Sequence, residues 1–236
     1  MNVPIYFFAE ANVSFVVRSA PIEGKAILVI LALFSVFAWS VMVGKWLQMR
    51  RAKKLNLYFD AEFRAQKNVT AIYDRRMQVN GCPLFAVYQE GCAELETRLK
   101  NPKGDERKKY ISLKSMEHIK RTLESAVARE ALKLESGLIT LAIAVSGAPF
   151  LGLLGTVWGV MDTFANVWIK GNAELITMAP GVSAALVTTV AGLLVAIPSM
   201  FGYNWLVHTL RVLTVELDNF AQNLVSKMET EYLRED

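Results

Sequence analysis

GAPFLGLLGTVWGVM, residues 147–161, lies inside a run from Ser136 to Met161 that contains no Asp, Glu, Lys or Arg. At about 1.5 Å of rise per residue, that run is long enough to cross a bilayer as a helix. Its composition is not that of a plain anchor. Gly147, Gly152, Gly155 and Gly159 punctuate it, Pro149 removes a backbone donor, and Thr156 stands among the glycines. Small residues three or four apart let helices approach closely in lipid. The stretch therefore reads as a helix-packing surface with a polar lining.

Two further windows lack the four charged residue types, Ala26–Gly44 and Leu175–Leu210. Each is near or beyond the roughly 20 residues that a membrane-crossing helix needs. In a chain of 236 residues, 53% hydrophobic, one such helix fits into a soluble core but three do not. The fold class expected is an all-α integral membrane protein with three transmembrane helices.

Charge sets the topology. About 20 of the 26 Lys and Arg fall between Lys45 and Lys133, and Lys45, Arg50, Arg51, Lys53 and Lys54 follow the first span directly. Positive charge flanking a span marks the cytoplasmic side. This places the amino terminus outside, the middle segment inside, the second connection outside and the carboxyl terminus inside. Acidic residues interspersed through the same segment argue against a nucleic-acid surface. Cys82 and Cys92 have no metal-ligand spacing and fall in the reducing compartment, so buried thiols are expected.

The expected organisation follows. Residues 1–24 are a periplasmic segment in which Ile5, Phe8, Val13, Val16 and Val17 line one side of a surface helix, a disordered tail being the alternative. Residues 25–45 are the first transmembrane helix, at the lipid-facing periphery. Residues 46–135 are a cytoplasmic helical region broken at Asn68, Asn80, Gly81, Pro83 and the loop NPKGD, 101–105. Met116, Ile119, Leu123, Val127, Ala131, Leu134 and Leu138 recur at spacings of three and four, predicting an amphipathic helix that runs without a breaker into the second span, 136–162. Residues 163–179 form the periplasmic connection. The third span, 180–207, starts at Pro180, and residues 208–236 continue it as a cytoplasmic helix with Leu210, Leu213, Leu217, Phe220, Leu224 and Met228 on one face. Apolar stripes on these extensions predict a cytoplasmic helical bundle. Pro149 and Pro198 are expected to kink their helices.

For enzyme chemistry the sequence offers little: no phosphate loop, no metal-spaced His or Cys set and no nucleophile elbow. His118 and His208 read as solvated or bundle histidines. No enzyme activity, cofactor or metal is expected. The spans hold hydroxyls instead. Thr156 lies six residues before Asp162 and Thr189 nine after Pro180, depths of about 9 Å and about 13 Å from one boundary by helix rise. Two antiparallel neighbours would bring them to one polar ring, with Thr188 and Ser183 on the same helix and Asp162 at the outer mouth. The ordinary reading of a membrane hydroxyl is a bond to the carbonyl one turn back. A hydroxyl ring lines water but does not hold a proton near neutral pH, and membrane proton relays use carboxylates or His. If protons cross here, a partner supplies the carboxylate.

GLLGTVWGVM (152–161), APG (179–181) and AIPSMFGYN (196–204) together resemble the MotA/TolQ/ExbB proton-channel family, specifically its TolQ/ExbB branch. The resemblance is concentrated between about residues 142 and 204, and the three-span plan matches that branch. It implies a homo-oligomeric, pentameric ring in the bacterial inner membrane around a TolR/ExbD-like single-span partner that supplies a membrane Asp, acting on a TolA/TonB-like protein. It places the two family pore threonines on Thr156 and Thr189. One position departs: where the family usually has Glu early in span three, APGVSAAL places Ala184. The functional expectation is a proton-channel or motor subunit that uses the proton motive force to energise envelope or outer-membrane processes. The alternative is a non-conducting oligomeric membrane scaffold. A solute transporter is disfavoured because no span centre carries a charged binding group.

Overall fold

The computed structural model describes residues 21–100, 108–171 and 174–233. Among the described residues six helices follow in order: α1 (Ile22–Ala65), α2 (Ala71–Asp74), α3 (Pro83–Leu99), α4 (Leu113–Glu135), α5 (Leu138–Lys170) and α6 (Leu175–Tyr232). Among the described residues there is no strand, only an isolated bridge between Ile111 and Leu233. α1, α5 and α6 are long and apolar enough to cross a membrane. The expected surface helix within residues 5–17 and the loop at 101–105 lie outside the described residues.

The chain divides into two units. The first comprises the described residues up to Val43 with Gly137–Trp205, and the second comprises Gly44–Ser136 with the described residues from Leu206 onward. In the first unit, Ile27 and Leu31 of α1 are buried against Ala148 of α5 and Val195 and Ala196 of α6. Ile27 and Leu31 thus fill the space left beside the small side chains of Ala148 and Ala196. Phe34, Leu151 and Ala191 flank this cluster. The opposite face of α1 leaves Val29, Leu33, Val36 and Phe37 exposed.

The second unit has a larger core. Phe59 and Phe63 of α1, Phe85 and Tyr88 of α3 and Phe220 of α6 form an aromatic cluster. Its edge-on pairs have centroids 5.2–5.8 Å apart, a favoured geometry for ring quadrupoles. Met116, Ile119, Leu123, Val127 and Leu134 give α4 its buried stripe. Leu213, Leu217, Leu224 and Met228 do the same for α6. Near the end of α6, Glu231 accepts the Val69 amide at 3.0 Å with both carboxylate oxygens, and Lys227 donates to the Gln66 carbonyl at 2.6 Å. The backbone between α1 and α2 is thereby satisfied by side chains rather than by a regular element.

Local structure departs from the sequence expectation at three places. The amphipathic helix does not run on into α5: Gly137 adopts φ +84° between α4 and α5, a conformation glycine enters without steric cost. α5 does not stop at Asp162 but continues to Lys170, where Gly171 at φ +68° ends it. The interval between α5 and α6 is therefore residues 171–174. Pro180 does not start α6, which begins five residues earlier at Leu175 and carries Pro180 inside it. Its fixed φ is compatible with the helix, but at this sixth position it removes one backbone bond and crowds the carbonyl of Ile176. Pro149 and Pro198 also lie inside helices.

Candidate functional site

Glycine brings α5 and α6 together. A Cβ added to Gly152 would stand 2.8 Å from the Thr188 carbonyl oxygen, and one added to Gly192 would stand 2.6 Å from that of Ala148. At Gly159 it would meet the Ala185 Cβ at 2.7 Å, and at Gly155 it would collide with the Thr188 hydroxyl. None of these positions admits a side chain: at Gly152 and Gly192 backbone meets backbone, while at Gly155 and Gly159 the Thr188 and Ala185 side chains of α6 fill the space. Gly147 differs from the other three glycines of its stretch: a Cβ there meets nothing within 4 Å. Gly192 and Gly181 on α6 are contact glycines that spacing along α5 does not reveal; at Gly181 an added Cβ would strike the Thr163 hydroxyl.

Such close approach puts side chains of one helix within reach of the other's carbonyls. Thr156 and Thr189 are hydrogen-bonded to each other through their hydroxyls. Thr156 Oγ1 also lies 3.3 Å from the Gly152 carbonyl oxygen and 3.2 Å from that of Ala185. Thr189 Oγ1 lies 3.1 Å from the Gly152 oxygen. Thr188 Oγ1 reaches the Ala185 oxygen at 2.6 Å and the Gly152 oxygen at 3.1 Å. Three hydroxyls therefore share two carbonyls. Thr188 is buried to 1% exposure, whereas Thr156 and Thr189 are half-buried.

The remaining sequence candidates sit apart from this cluster. Ser183 is exposed on α6. Asp162 is exposed on α5, where Asn166 donates to its side chain at 3.2 Å and to its carbonyl at 2.9 Å. Ala184 is buried to 2% exposure. Thr163, not among the sequence candidates, is buried and donates to the Gly159 carbonyl at 2.8 Å; no motif distinguishes it from other hydroxyls on an apolar helix.

A hydroxyl both donates and accepts, so this cluster can order water or meet a carboxyl group, but it stores no charge. No Asp, Glu, Lys or Arg occurs in Ser136–Met161 or Leu175–Leu210. In the second unit, a cavity of about 800 Å³ is lined in part by Arg51, Cys82, Gln89, Glu130 and Lys133. Burial pushes the Cys82 thiol up from its ordinary range and the Cys92 thiol up to about 12. Both stay protonated and poorly nucleophilic near neutral pH. The described residues contain no group of three or more His, Cys, Asp or Glu placed to hold a metal ion.

The model of the MotA/TolQ/ExbB proton channel family matches residues 93–219, a segment that holds α5 and the hydroxyl cluster. The chain belongs to this family. It is 32% identical to the Tol-Pal system protein TolQ of Pseudomonas aeruginosa over 80% of each chain. It is 32% identical to the TolQ protein of Haemophilus influenzae over 89% of this chain and 90% of the relative. With the biopolymer transport protein ExbB of Neisseria meningitidis it shares 28% identity over 84% of this chain and 88% of the relative. Both names belong to the TolQ/ExbB branch. The hydroxyl cluster lies inside the matched segment, on helices whose charge-free runs contain no carboxylate.

Proposed function

We propose that this chain is the channel-wall subunit of a proton-driven motor in the bacterial inner membrane, with its amino terminus periplasmic and its carboxyl terminus cytoplasmic. Copies form a homo-oligomeric ring, a pentamer by resemblance to the family, whose cytoplasmic part is a helical bundle. Thr156 and Thr189 line the proton path, with Ser183 and Asp162 toward its outer end. The carboxylate that carries the proton comes from a TolR/ExbD-like single-span partner with an Asp in its membrane segment. Proton flow turns or shifts that partner against the ring, and a TolA/TonB-like protein conveys the movement to the envelope.

The observation that carries this reading is the mutual hydrogen bond of Thr156 and Thr189 between two helices with charge-free runs. A polar pair on an apolar helix face meets water or a polar partner more favourably than it meets lipid. The names of the TolQ and ExbB relatives support the same class of work. The two exposed ends of the apolar helices, including Trp168, Ile169, Leu175 and Ile176, suit a lipid or subunit surface rather than water.

Purification of the full chain from its own membrane tests the partnership. The expected result is copurification of a short single-span protein with a membrane Asp, lost when that Asp-bearing helix is deleted. Recovery of a stable assembly of this chain alone, with no proton flux after reconstitution into vesicles, would favour the non-conducting scaffold.

A further inference from the structure

Thr188 is the buried third member of the hydroxyl cluster. Each carbonyl oxygen offers two lone pairs. Within α5 the Gly152 oxygen already receives the Thr156 amide, and within α6 the Ala185 oxygen receives the Thr189 amide, as α-helical bonding requires. One acceptor position remains on each. Three hydroxyl protons compete for two positions.

The distances resolve that competition. Thr188 Oγ1 is 2.6 Å from the Ala185 oxygen, against 3.2 Å for Thr156. Thr189 Oγ1 is 3.1 Å from the Gly152 oxygen, against 3.3 Å for Thr156. With Thr188 on Ala185 and Thr189 on Gly152, the Thr156 proton has one acceptor left, the Thr189 oxygen. The chain then runs Thr156 to Thr189 to the Gly152 carbonyl. Thr156 Oγ1 keeps its lone pairs and faces any incoming group as an acceptor.

We propose that Thr188 is a positioning residue that fixes the direction of the Thr156–Thr189 hydrogen bond, so that the pair presents an acceptor to a protonated carboxyl group of the partner. This rests on the reading of Thr156 and Thr189 as the proton path. Gly155 is part of the same device, because any side chain there would occupy the space of the Thr188 hydroxyl. Without that hydroxyl, the Ala185 oxygen opens to Thr156 and the pair loses its single direction.

The test uses the complete assembly purified from its own membrane and reconstituted into vesicles, with proton flux and thermal midpoint measured for Thr188→Val, Thr188→Ser, Thr156→Val and Thr189→Val. Thr188→Val keeps the shape and removes the hydroxyl, while Thr188→Ser keeps the hydroxyl. A lost or misdirected hydrogen bond of about 1 kcal/mol corresponds to about a fivefold fall in flux. The expected result is that fall in Thr188→Val at an unchanged midpoint, with recovery to within about twofold in Thr188→Ser. If Thr156→Val and Thr189→Val are impaired while Thr188→Val conducts as the parent does, the proposal is overturned and the proton-path reading stands. If Thr188→Val and Thr188→Ser are equally impaired and both lower the midpoint, Thr188 is a packing residue and the proposal is again overturned. Full flux in Thr156→Val and Thr189→Val removes the reading on which it rests.

Discussion

A side-chain carbon on Gly192 would stand 2.6 Å from the carbonyl oxygen of Ala148, so α5 and α6 touch backbone to backbone at that level. The same close approach is what carries the hydroxyls of Thr188 and Thr189 to the Gly152 carbonyl. Packing and polarity are one arrangement here. A change that separates the helices dissolves the cluster even when every hydroxyl is retained.

Gly192→Val should therefore destabilise the first unit by about 1–3 kcal/mol, the usual cost of forcing atoms into a filled space. Gly147→Ala should be close to neutral within the chain, since a Cβ there meets nothing within 4 Å. Thermal midpoints of the detergent-solubilised protein separate the two. Equal losses would mean that Gly147 is covered by another chain.

Glu231 makes the second prediction. Its carboxylate holds the Val69 amide at 3.0 Å between α1 and α2. Glu231→Ala leaves that donor without its partner and should cost about 1–3 kcal/mol. Glu231→Gln keeps an acceptor oxygen and should lose less. Denaturant midpoints of the two variants, compared with the parent, check the order.

Tyr88 offers a similar comparison in the aromatic cluster. Its hydroxyl donates to the Val69 carbonyl at 2.7 Å and accepts from the Tyr73 amide at 3.0 Å. Tyr88→Phe preserves the ring contacts with Phe59 and Phe63 and removes both bonds. A loss of about 1–3 kcal/mol is expected, read from the same denaturation experiment. An unchanged midpoint would show that the ring alone is what stabilises this corner.

The thiols should behave as buried groups. Burial holds Cys92 up to about 12 against an ordinary value of 9.0. The folded state thus favours the protonated form. That stabilisation is complete below about pH 9 and is lost as pH rises toward about 12. Maleimide labelling of Cys82 and Cys92 at pH 7 should be slow in the folded protein and fast after denaturation. Rapid labelling under native conditions would contradict the burial of both.

Much of the membrane part is legible in the sequence because charge-free length is a one-dimensional property. The proximity of Thr156 and Thr189 is legible too, since helix rise converts residue counts into depths. What spacing does not reveal is the neighbour of a given face. Gly147 and Gly155 lie in the same run, yet only Gly155 meets α6. Thr188 and Thr189 are adjacent in sequence, but one helical step of about 100° turns the first fully into α5 and leaves the second half-exposed. The break at Gly137 is hidden for another reason. Leu134 and Leu138 keep the apolar period across it, so periodicity alone continues the helix. Pro180 misleads because proline is best suited to a helix start, whereas here the helix begins five residues earlier and carries it inside.

The central claim is that Thr156 and Thr189 form the wall of a proton path, and proton flux through the reconstituted assembly measures it most directly. Thr156→Val and Thr189→Val should each cut flux by about fivefold or more, the effect of losing a hydrogen bond of about 1 kcal/mol, while Thr156→Ser and Thr189→Ser retain it and all four assemble normally. Parental flux in both valine variants would contradict the account and leave the hydroxyl cluster as helix packing alone.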